Sequence, residues 1–302
     1  MRAISPLRYP GGKSILADFL TNVIELNELR GCTYYEPYAG GAGAALRLLK
    51  DDVVSEIYIN DADPRIYAFW YSVLNDSDDF VNEIRSVPLT MDEWHQQQEI
   101  CANPIKRGTF ELGFAAFFMN RCNRSGVLSG AGPIGGHEQK GKWRMDVRFN
   151  RVPLVERILS ISRLKERIHL FSLDALEFLK KCLPASRCRK RVFVYLDPPY
   201  VNKGQRLYLN AYNEKDHAKL ARYIRAQTTL PWIMSYDDTA LVRKLYFDLQ
   251  LANLSIPYSL QEKRSANELI IAPKHVTMPR SCQISGRSAL VRAIRGGGKK
   301  HE

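Results

Sequence analysis

The feature that most constrains the fold is a set of short apolar, β-rich runs, each of which ends abruptly at a polar or proline-containing turn. The sharpest is VFVYL at residues 192–196, which stops at Asp197-Pro198-Pro199. Similar runs occupy residues 33–36, 57–59, 232–234 and 268–272, and a helical pattern covers 44–50. Strands that alternate with helices predict an α/β fold, with a Rossmann-like mixed, mostly parallel sheet and helices on both faces.

Residues 76–154 differ from the chain on either side. Strand patterns disappear, the stretch is polar, and six glycines crowd its second half. Residues 104–151 contain nine lysines and arginines but only three acids. A loop this long is uncommon in a compact domain unless it has a function. We predict a small helical insert with a loop or hairpin at its tip, which divides a catalytic domain into residues 1–75 and 155–278.

The chain is strongly basic, with a formal net charge of +12 at pH 7. Residues 279–302 hold six basic residues and one acid, so they contribute +5, and we expect them to form a flexible basic tail. The rest of the chain still carries +7, so the bias is not confined to the tail. A basic globular protein of this kind is typical of those that bind polyanions such as nucleic acid.

Composition also argues against several classes of protein. The sequence has no run of about 18 apolar residues and no apolar core of signal-peptide length near Met1, so we expect a cytoplasmic protein without a membrane span. The six cysteines and six histidines show neither CxxC nor HExxH spacing, so we expect reduced thiols and no metal site. We expect a monomer.

A glycine-rich loop follows the first predicted strand and opens a helix. Its candidate binding residues are Glu36, Pro37, Tyr38, Gly40 and Gly43. Glycines let the backbone turn sharply and approach a ligand closely. Asp61 ends the next strand, where a carboxylate commonly binds ribose hydroxyls. Leu46 replaces the third glycine of a dinucleotide fingerprint, so a nucleoside without pyrophosphate, such as S-adenosylmethionine, fits better.

The turn Asp197-Pro198-Pro199-Tyr200 is the strongest catalytic candidate. Ligands bind at the carboxyl ends of parallel strands, and two prolines stiffen the backbone while removing N–H donors. The turn therefore presents acceptors, the Asp197 carboxylate and the Pro198 carbonyl, which suit an amine that donates two N–H bonds. When the amine of adenine attacks a methyl sulfonium, its nitrogen becomes tetrahedral. Hydrogen bonds from both amine hydrogens to these acceptors stabilise that nitrogen. Tyr200 offers a face on which a base that has left the duplex can stack.

Seven motifs follow one another along the chain: SPLRYPGGKS, YYEPYAGGAGAALRLL, INDADPRIYAFW, FFMNRCNRSGVLSGAGPIGG, GKWRMDVRFN, LDPPY and ELIIAP. In this order, from about Ser5 to Ala272, they resemble the Dam-type, or D12 class, adenine-specific DNA methyltransferases. The resemblance implies methyl transfer from S-adenosylmethionine to the N6 amine of adenine in double-stranded DNA. It also implies cofactor contacts from Tyr9, Lys13, Asp61, Phe171, Asp174 and Asp197.

Within this resemblance, the insert corresponds to a target-recognition domain whose hairpin enters DNA. The predicted DNA contacts are Arg121, Asn123, Arg124, Ser125, Lys142 and Arg144. Arginines in such a region can read guanine edges or hold phosphates. The family's GATC readers carry Tyr-Asn-Gly where this chain has Arg124-Ser125-Gly126, which argues against GATC as the recognition sequence.

Two other interpretations stay open. The first is a methyltransferase that acts on another exocyclic amine, cytosine N4 or an adenine in RNA, although Asp197 favours adenine and the basic insert favours duplex DNA. The second is a catalytically inactive relative that only binds DNA. That interpretation predicts damaged motifs, whereas Lys13, Asp61 and the Asp197–Tyr200 turn are intact.

Overall fold

The computed structural model describes residues 4–8, 16–201, 212–256, 266–284 and 287–294, and within them nine strands form one sheet. The strands are β1 (Cys32–Glu36), β2 (Val54–Asn60), β3 (Ile168–Phe171), β4 (Val192–Leu196), β5 (Trp232–Tyr236), β6 (Gln250–Ile256), β7 (Ala266–Ala272), β8 (Ser281–Ile284) and β9 (Arg287–Ala293). The described α-helices are α1 (Ala17–Leu26), α2 (Gly43–Lys50), α3 (Pro64–Asn75), α4 (Ser77–Ser86), α5 (Met91–Ala102), α6 (Thr109–Cys122), α7 (Arg151–Ser162), α8 (Ala175–Cys182), α9 (Glu214–Arg225) and α10 (Ala240–Leu245). None of these helices has the length and apolar character needed to span a membrane.

The sheet has a parallel half and an antiparallel half. Its strand order is β3-β2-β1-β4-β5-β7-β6-β9-β8, with parallel pairing from β3 to β5 and antiparallel pairing beyond. The chain moves outward in one direction from β1 to β3, then returns to place β4 on the other side of β1. This reversal is a topological switch point, where ligands bind in open α/β sheets. The predicted Rossmann-like mixed sheet is confirmed.

Alternate residues of the central strands bury into two separate apolar clusters. Tyr34 of β1 packs into one cluster with α1, α2 and α3, whereas Tyr35 packs into the other with α8 and α9. The five residues of β4 are all buried and divide between the clusters in the same way. A strand that is covered on both faces reads as a continuous apolar run, which explains VFVYL. Helices therefore cover both faces, as the alternating pattern predicted.

Helices α4, α5 and α6 lie in the first part of residues 76–154, and they share a core with the sheet domain. Rings of Phe69 from α3, Phe80 from α4 and Phe117 from α6 pack within 6.0 Å of one another. A Cβ added at Gly113 would lie 2.4 Å from the Ala68 carbonyl oxygen, so α6 and α3 cross at backbone contact. Residues 77–122 are thus largely helical, and these helices are continuous with the core of the sheet domain, while the division into an insert and a catalytic domain stays a prediction.

The predicted flexible tail is wrong for the residues that the structure describes between 281 and 293. Strand β9 pairs with β6, and β8 pairs with β9. Ala289 is buried, and Leu254 and Val291 are paired in the register. Without this hairpin, β6 would be an open edge with unpaired backbone groups, which proteins commonly cover.

Candidate active site

Hydrogen bonds from β2 and α3 hold the glycine-rich loop that follows β1. The Gly40 N–H donates to Asp61 Oδ2 at 2.8 Å, and the buried Trp70 indole donates to the Gly40 carbonyl, also at 2.8 Å. Gly40 has a φ of +47°, a left-handed conformation that side chains disfavour. Gly43 is the first residue of α2. The loop is therefore fixed from both sides before any ligand arrives.

Asn60, the last residue of β2, joins the loops that follow three neighbouring strands. Its amide donates to the carbonyls of Pro37 and Leu173 at 3.0 Å each, and its side-chain oxygen accepts from Leu173 N–H at 2.9 Å. Its own carbonyl accepts from Ala39 N–H at 2.9 Å. Asn60 is fully buried, so this clamp is shielded from water. Sequence reasoning missed it, although an asparagine next to Asp61 at a strand end was visible.

The Asp61 carboxylate lies beside the fixed loop and retains capacity to bind a ligand. Its Oδ1 accepts from Asp63 N–H at 2.9 Å, and its Oδ2 accepts from Gly40. A carboxylate offers about four acceptor positions, so two hydroxyls can still bind. Burial raises the pKa of Asp61 to about 6, with the two backbone N–H groups opposing the rise. At pH 7 the group is mostly ionised, which fits a ligand with adjacent hydroxyls such as ribose.

Phe171 and Asp174 lie at the end of β3, beside this loop. The Phe171 carbonyl accepts from Asp61 N–H at 3.3 Å, so the two predicted cofactor residues are adjacent. Asp174 is exposed and caps α8, where its Oδ1 accepts from the N–H groups of Leu176 and Glu177. Asp174 therefore has a structural role that is independent of any ligand.

Asp197 follows β4 at the carboxyl edge of the sheet, and the neighbouring strand orients it. Ser235 of β5 donates to Asp197 Oδ1 at 2.7 Å, and the Tyr195 hydroxyl lies 2.8 Å from Ser235 Oγ. Ser235 and Tyr195 are both fully buried. Pro198 and Pro199 are also buried. Since β2, β1 and β4 are adjacent and parallel, Asp61, the glycine-rich loop and Asp197 occupy the same edge of the sheet.

The rest of the turn is tied to β5 and β7. The Tyr200 hydroxyl donates to Glu268 Oε2, and Val201 N–H donates to Asp237 Oδ1 at 3.0 Å. Burial, reinforced by the nearby Asp197 and Glu268 carboxylates, raises the pKa of Tyr200 far above its ordinary value. The phenol consequently stays protonated and its ring stays in place, 6.4 Å from the ring of Tyr236.

A chain of aromatic side chains, which sequence reasoning missed, links the loop after β1 to the end of β5. The hydroxyls of Tyr38 and Tyr212 lie 2.9 Å apart, and His217 Nδ1 lies 2.5 Å from the Tyr236 hydroxyl. The His217 ring packs on Tyr212 and Tyr236 at 5.5 and 5.6 Å. Burial lowers the pKa of His217, so the ring is neutral at pH 7. No sequence spacing signals these partners, because they come from distant segments.

Glu36 ends β1 at the switch point and is only 2% exposed. It accepts a hydrogen bond from the Tyr34 hydroxyl at 3.0 Å. Tyr9 and Lys13, the other predicted cofactor residues near the N-terminus, lie outside the described residues. Among the residues that are described, no cluster of three or more His, Cys, Asp or Glu side chains could hold a metal ion.

Four of the predicted DNA contacts are exposed: Arg124, Ser125, Lys142 and Arg144. Arg124 and Ser125 begin the loop beyond α6, and Ser125 has a left-handed φ of +56°. At Gly126, where φ is +75°, a Cβ would lie 2.5 Å from the Arg8 carbonyl, so the loop start is pressed against the N-terminal segment. The exposed cations therefore extend from a well-anchored base.

The structure corrects the other two predicted DNA contacts, Arg121 and Asn123, which are buried. Arg121 donates from its guanidinium to the carbonyls of Arg148 and Pro6. Asn123 accepts from the Trp94 indole at 2.8 Å and donates to the Val127 carbonyl at 2.8 Å. Both side chains stabilise the base of the loop, because they donate hydrogen bonds to backbone carbonyls that would otherwise lack partners.

The model of the D12 class N6 adenine-specific DNA methyltransferase family matches residues 9–100 and 173–261. These segments make up more than half of the chain. The chain belongs to this family. It is accordingly a methyltransferase, and the matched segments contain the glycine-rich loop, Asp61 and Asp197, which meet at one edge of the sheet. The exposed cations of the insert fall between the two segments.

No curated protein sequence matches the chain. A solved structure described as a conserved hypothetical protein from Streptococcus pyogenes is 11% identical, with 82% of this chain and 89% of that chain covered and a TM-score of 0.33. The rRNA methyltransferase AviRa from Streptomyces viridochromogenes is 12% identical, with 89% and 87% covered and a TM-score of 0.34.

Proposed function

We propose that this member of the D12 family transfers the methyl group of S-adenosylmethionine to the N6 amine of an adenine flipped out of duplex DNA. The observation that carries the proposal is the position of Asp197. It follows β4 at the switch point, on the same edge as the preformed glycine loop and the Asp61 carboxylate. A cofactor bound by the loop and Asp61 would therefore lie beside a base gripped at Asp197.

The loop after β1 and the ends of β2 and β3 provide a fitting cradle for the cofactor. Asp61 offers remaining acceptor positions to ribose hydroxyls, and the end of β3 lies next to it, where the Phe171 carbonyl accepts from the Asp61 N–H. Tyr38 is held in place by its bond to Tyr212. The cofactor would supply a methyl group bonded to a sulfonium sulfur. As the nitrogen–methyl bond forms, the carbon–sulfur bond breaks, the sulfur becomes a neutral thioether, and the nitrogen releases one proton.

Asp197 and the Pro198 carbonyl would bind the target amine through its two N–H groups. Adenine N6 is a weak nucleophile because its lone pair is delocalised into the ring. Acceptors that hold both hydrogens stabilise the tetrahedral, positively charged nitrogen that develops during transfer, and they are already in position beforehand. Tyr200, fixed by Glu268, would stack on the base.

The exposed cations of the insert support duplex DNA as the substrate. Arg124, Lys142 and Arg144 project from the chain beyond α6, and Lys142 lies over the exposed ring of Trp143. Cations contribute sequence-independent affinity through phosphates, whereas base-edge contacts give sequence preference. A base inside a duplex cannot reach Asp197, so the target must leave the stack.

The proposal is tested by giving the purified protein unmethylated natural duplex DNA and tritiated S-adenosylmethionine, then digesting the DNA to nucleosides. The expected product is N6-methyladenine. N4-methylcytosine would assign the other exocyclic amine, and transfer only to RNA would remove duplex DNA as the substrate. Cofactor binding without transfer to any of these acceptors would favour an inactive DNA-binding relative. Sequencing of modified bases from cells that express the chain gives the recognition sequence.

A further inference from the structure

Asp197 is the end of a buried chain of hydroxyl groups that runs across two strands. The Tyr195 hydroxyl lies 2.8 Å from Ser235 Oγ, and Ser235 Oγ lies 2.7 Å from Asp197 Oδ1. Tyr195 and Ser235 are both 0% exposed. Tyr195 lies on β4, two residues before Asp197, whereas Ser235 is the next-to-last residue of β5.

The direction of these bonds follows from the number of protons available. A carboxylate can only accept, so the single proton of the Ser235 hydroxyl is committed to Asp197. Tyr195 must then donate to Ser235. Burial, together with the nearby Asp197 carboxylate, raises the pKa of Tyr195 well above its ordinary value, so the phenol keeps the proton that it donates. Donation along a chain strengthens each bond in it.

We infer that Ser235 is a positioning residue for methyl transfer, which holds one oxygen of Asp197 so that the carboxylate meets the target amine in a fixed orientation. Tyr195 is the second member of this chain and fixes the Ser235 hydroxyl in turn. The inference rests on the proposed role of Asp197 at the amine. It assigns no contact between Ser235 and either substrate.

The arrangement matters because an aspartate has a soft torsion about its carboxyl group. A rotation of that group moves both oxygens and changes the hydrogen-bond geometry at the amine, and small misplacements of catalytic groups slow reactions considerably. The proline pair after Asp197 fixes the backbone but cannot fix the side chain. The buried hydroxyl of Ser235, on the neighbouring strand, constrains one oxygen of this side chain at a place where water cannot compete for the donor.

The main variant is Ser235→Ala, which removes the hydroxyl and little volume. We expect the apparent kcat for methyl transfer to unmethylated duplex DNA to fall by roughly tenfold, the loss expected for one hydrogen bond to a charged group. The dissociation constant for S-adenosylmethionine, measured by calorimetry, should stay within about twofold, because Asp61 and the loop are untouched. Tyr195→Phe should lower kcat by a smaller factor than Ser235→Ala does. Ser235→Thr keeps a hydroxyl at this position, so it should retain much of the wild-type kcat.

Ser72→Ala is the matched control. Ser72 is also fully buried and donates to the Ala68 carbonyl within α3, away from Asp197, so its loss should leave kcat unchanged. A double-mutant cycle of Ser235→Ala with Asp197→Asn, read in thermal unfolding, measures their contact without any need for activity. We expect the two losses of stability to be non-additive.

Three outcomes would overturn the inference. The first is a Ser235→Ala variant with near-normal kcat. The second is a fall of kcat that is matched by an equal loss of cofactor affinity, which indicates a merely structural role. The third is a Ser235→Thr variant that unfolds at the wild-type temperature yet is as slow as the alanine variant. Failure of the proposed function is distinguishable, since the wild-type protein itself would then not methylate adenine.

Discussion

The carboxylate of Asp61 and the backbone N–H of Gly40 form a 2.8 Å hydrogen bond that joins the end of β2 to the loop after β1. The same carboxylate is the proposed ribose ligand. One side chain thus shapes the cofactor cradle and contributes to its surface. Because the hydrogen bonds from Gly40 and Trp70 already hold the loop, a ligand that binds there would lose less entropy in ordering it.

Replacement of this carboxylate tests that dual role. Asp61→Ala should raise the dissociation constant for S-adenosylmethionine by at least roughly tenfold, since charged hydrogen bonds are lost and the loop is released. Calorimetric titration measures it. The control is Asp238→Ala, which removes a carboxylate that pairs with Arg243 after β5 and should leave the affinity unchanged. Unchanged affinity in Asp61→Ala would exclude the ribose role.

Cofactor affinity should also depend on pH. Because burial raises the pKa of Asp61 to about 6, the free protein takes up a proton on this group as the pH falls through that value. Ribose hydroxyls donate more strongly to the ionised form, so affinity should be highest above about pH 7 and decline towards pH 5. Titrations across this range check the sign. The Asp61→Ala variant should lose the dependence, and a wild-type profile that is flat between pH 5 and 7 would contradict it.

Asp197→Ala should lower methyl transfer by at least about 100-fold, because one of the two acceptors at the amine is lost. The cofactor affinity should change little, because Asp61 and the glycine-rich loop are untouched, and the variant should stay folded although the loss of the Ser235 bond lowers its unfolding temperature. A tritium-transfer assay and a melting curve measure the two effects separately. Near-normal turnover in this variant would refute the proposed reaction site.

DNA affinity should fall steeply as salt rises, because cations that bind phosphates release counterions from the duplex. Removal of one phosphate contact lowers the slope of log K against log salt by about one. Arg144→Ala is expected to do so in fluorescence-anisotropy titrations. Arg222→Ala, an exposed arginine on α9 outside the insert, is the control and should keep the wild-type slope. A salt-independent affinity would argue against phosphate contacts altogether.

Alanine substitution of two nearby arginines should affect different properties, stability for Arg121 and DNA affinity for Arg124. Arg121→Ala removes the donors to the carbonyls of Arg148 and Pro6, so the free energy of unfolding should fall by about 2–4 kcal/mol. Arg124→Ala removes an exposed side chain and should lower DNA affinity with little change in stability. Melting curves and binding titrations of both variants separate the roles. Equal stability of the two variants would contradict the structural role of Arg121.

The sequence was sufficient to predict where residues lie in the sheet when that position depends only on the order of strands and turns along the chain. Asp61 and Asp197 each follow an apolar strand, and that position alone places them at the ligand edge of a parallel sheet. Ser235 could not be predicted in the same way, because its partner Asp197 belongs to another strand and only the β4–β5 pairing brings them together. The short strand β3 was missed because most of its residues are partly exposed.

The insert shows a second limit of sequence reasoning. Six polar residues near its tip looked alike as DNA contacts, yet burial divides them. Arg121 ends up inside because α6 is buried from Leu112 to Cys122, and its guanidinium then satisfies carbonyls of other segments. Arg124 lies only three residues later but beyond the helix end, so it is exposed. A pattern of charged residues does not show whether a residue near the end of a helix is buried or exposed.

The close crossing of Gly113 and Ala68 bears on how relatives of this protein could diverge. Helix α3, which carries Ala68, starts three residues after Asp61, so a shift of α6 would disturb this proposed ribose ligand. We therefore expect new preferences for DNA sequence to arise in the loop of residues 124–144. The tip of this loop can vary while α3 and α6 keep their contact at Ala68 and Gly113. Transplanting that loop between relatives offers a way to exchange preferences without rebuilding the enzyme beneath it.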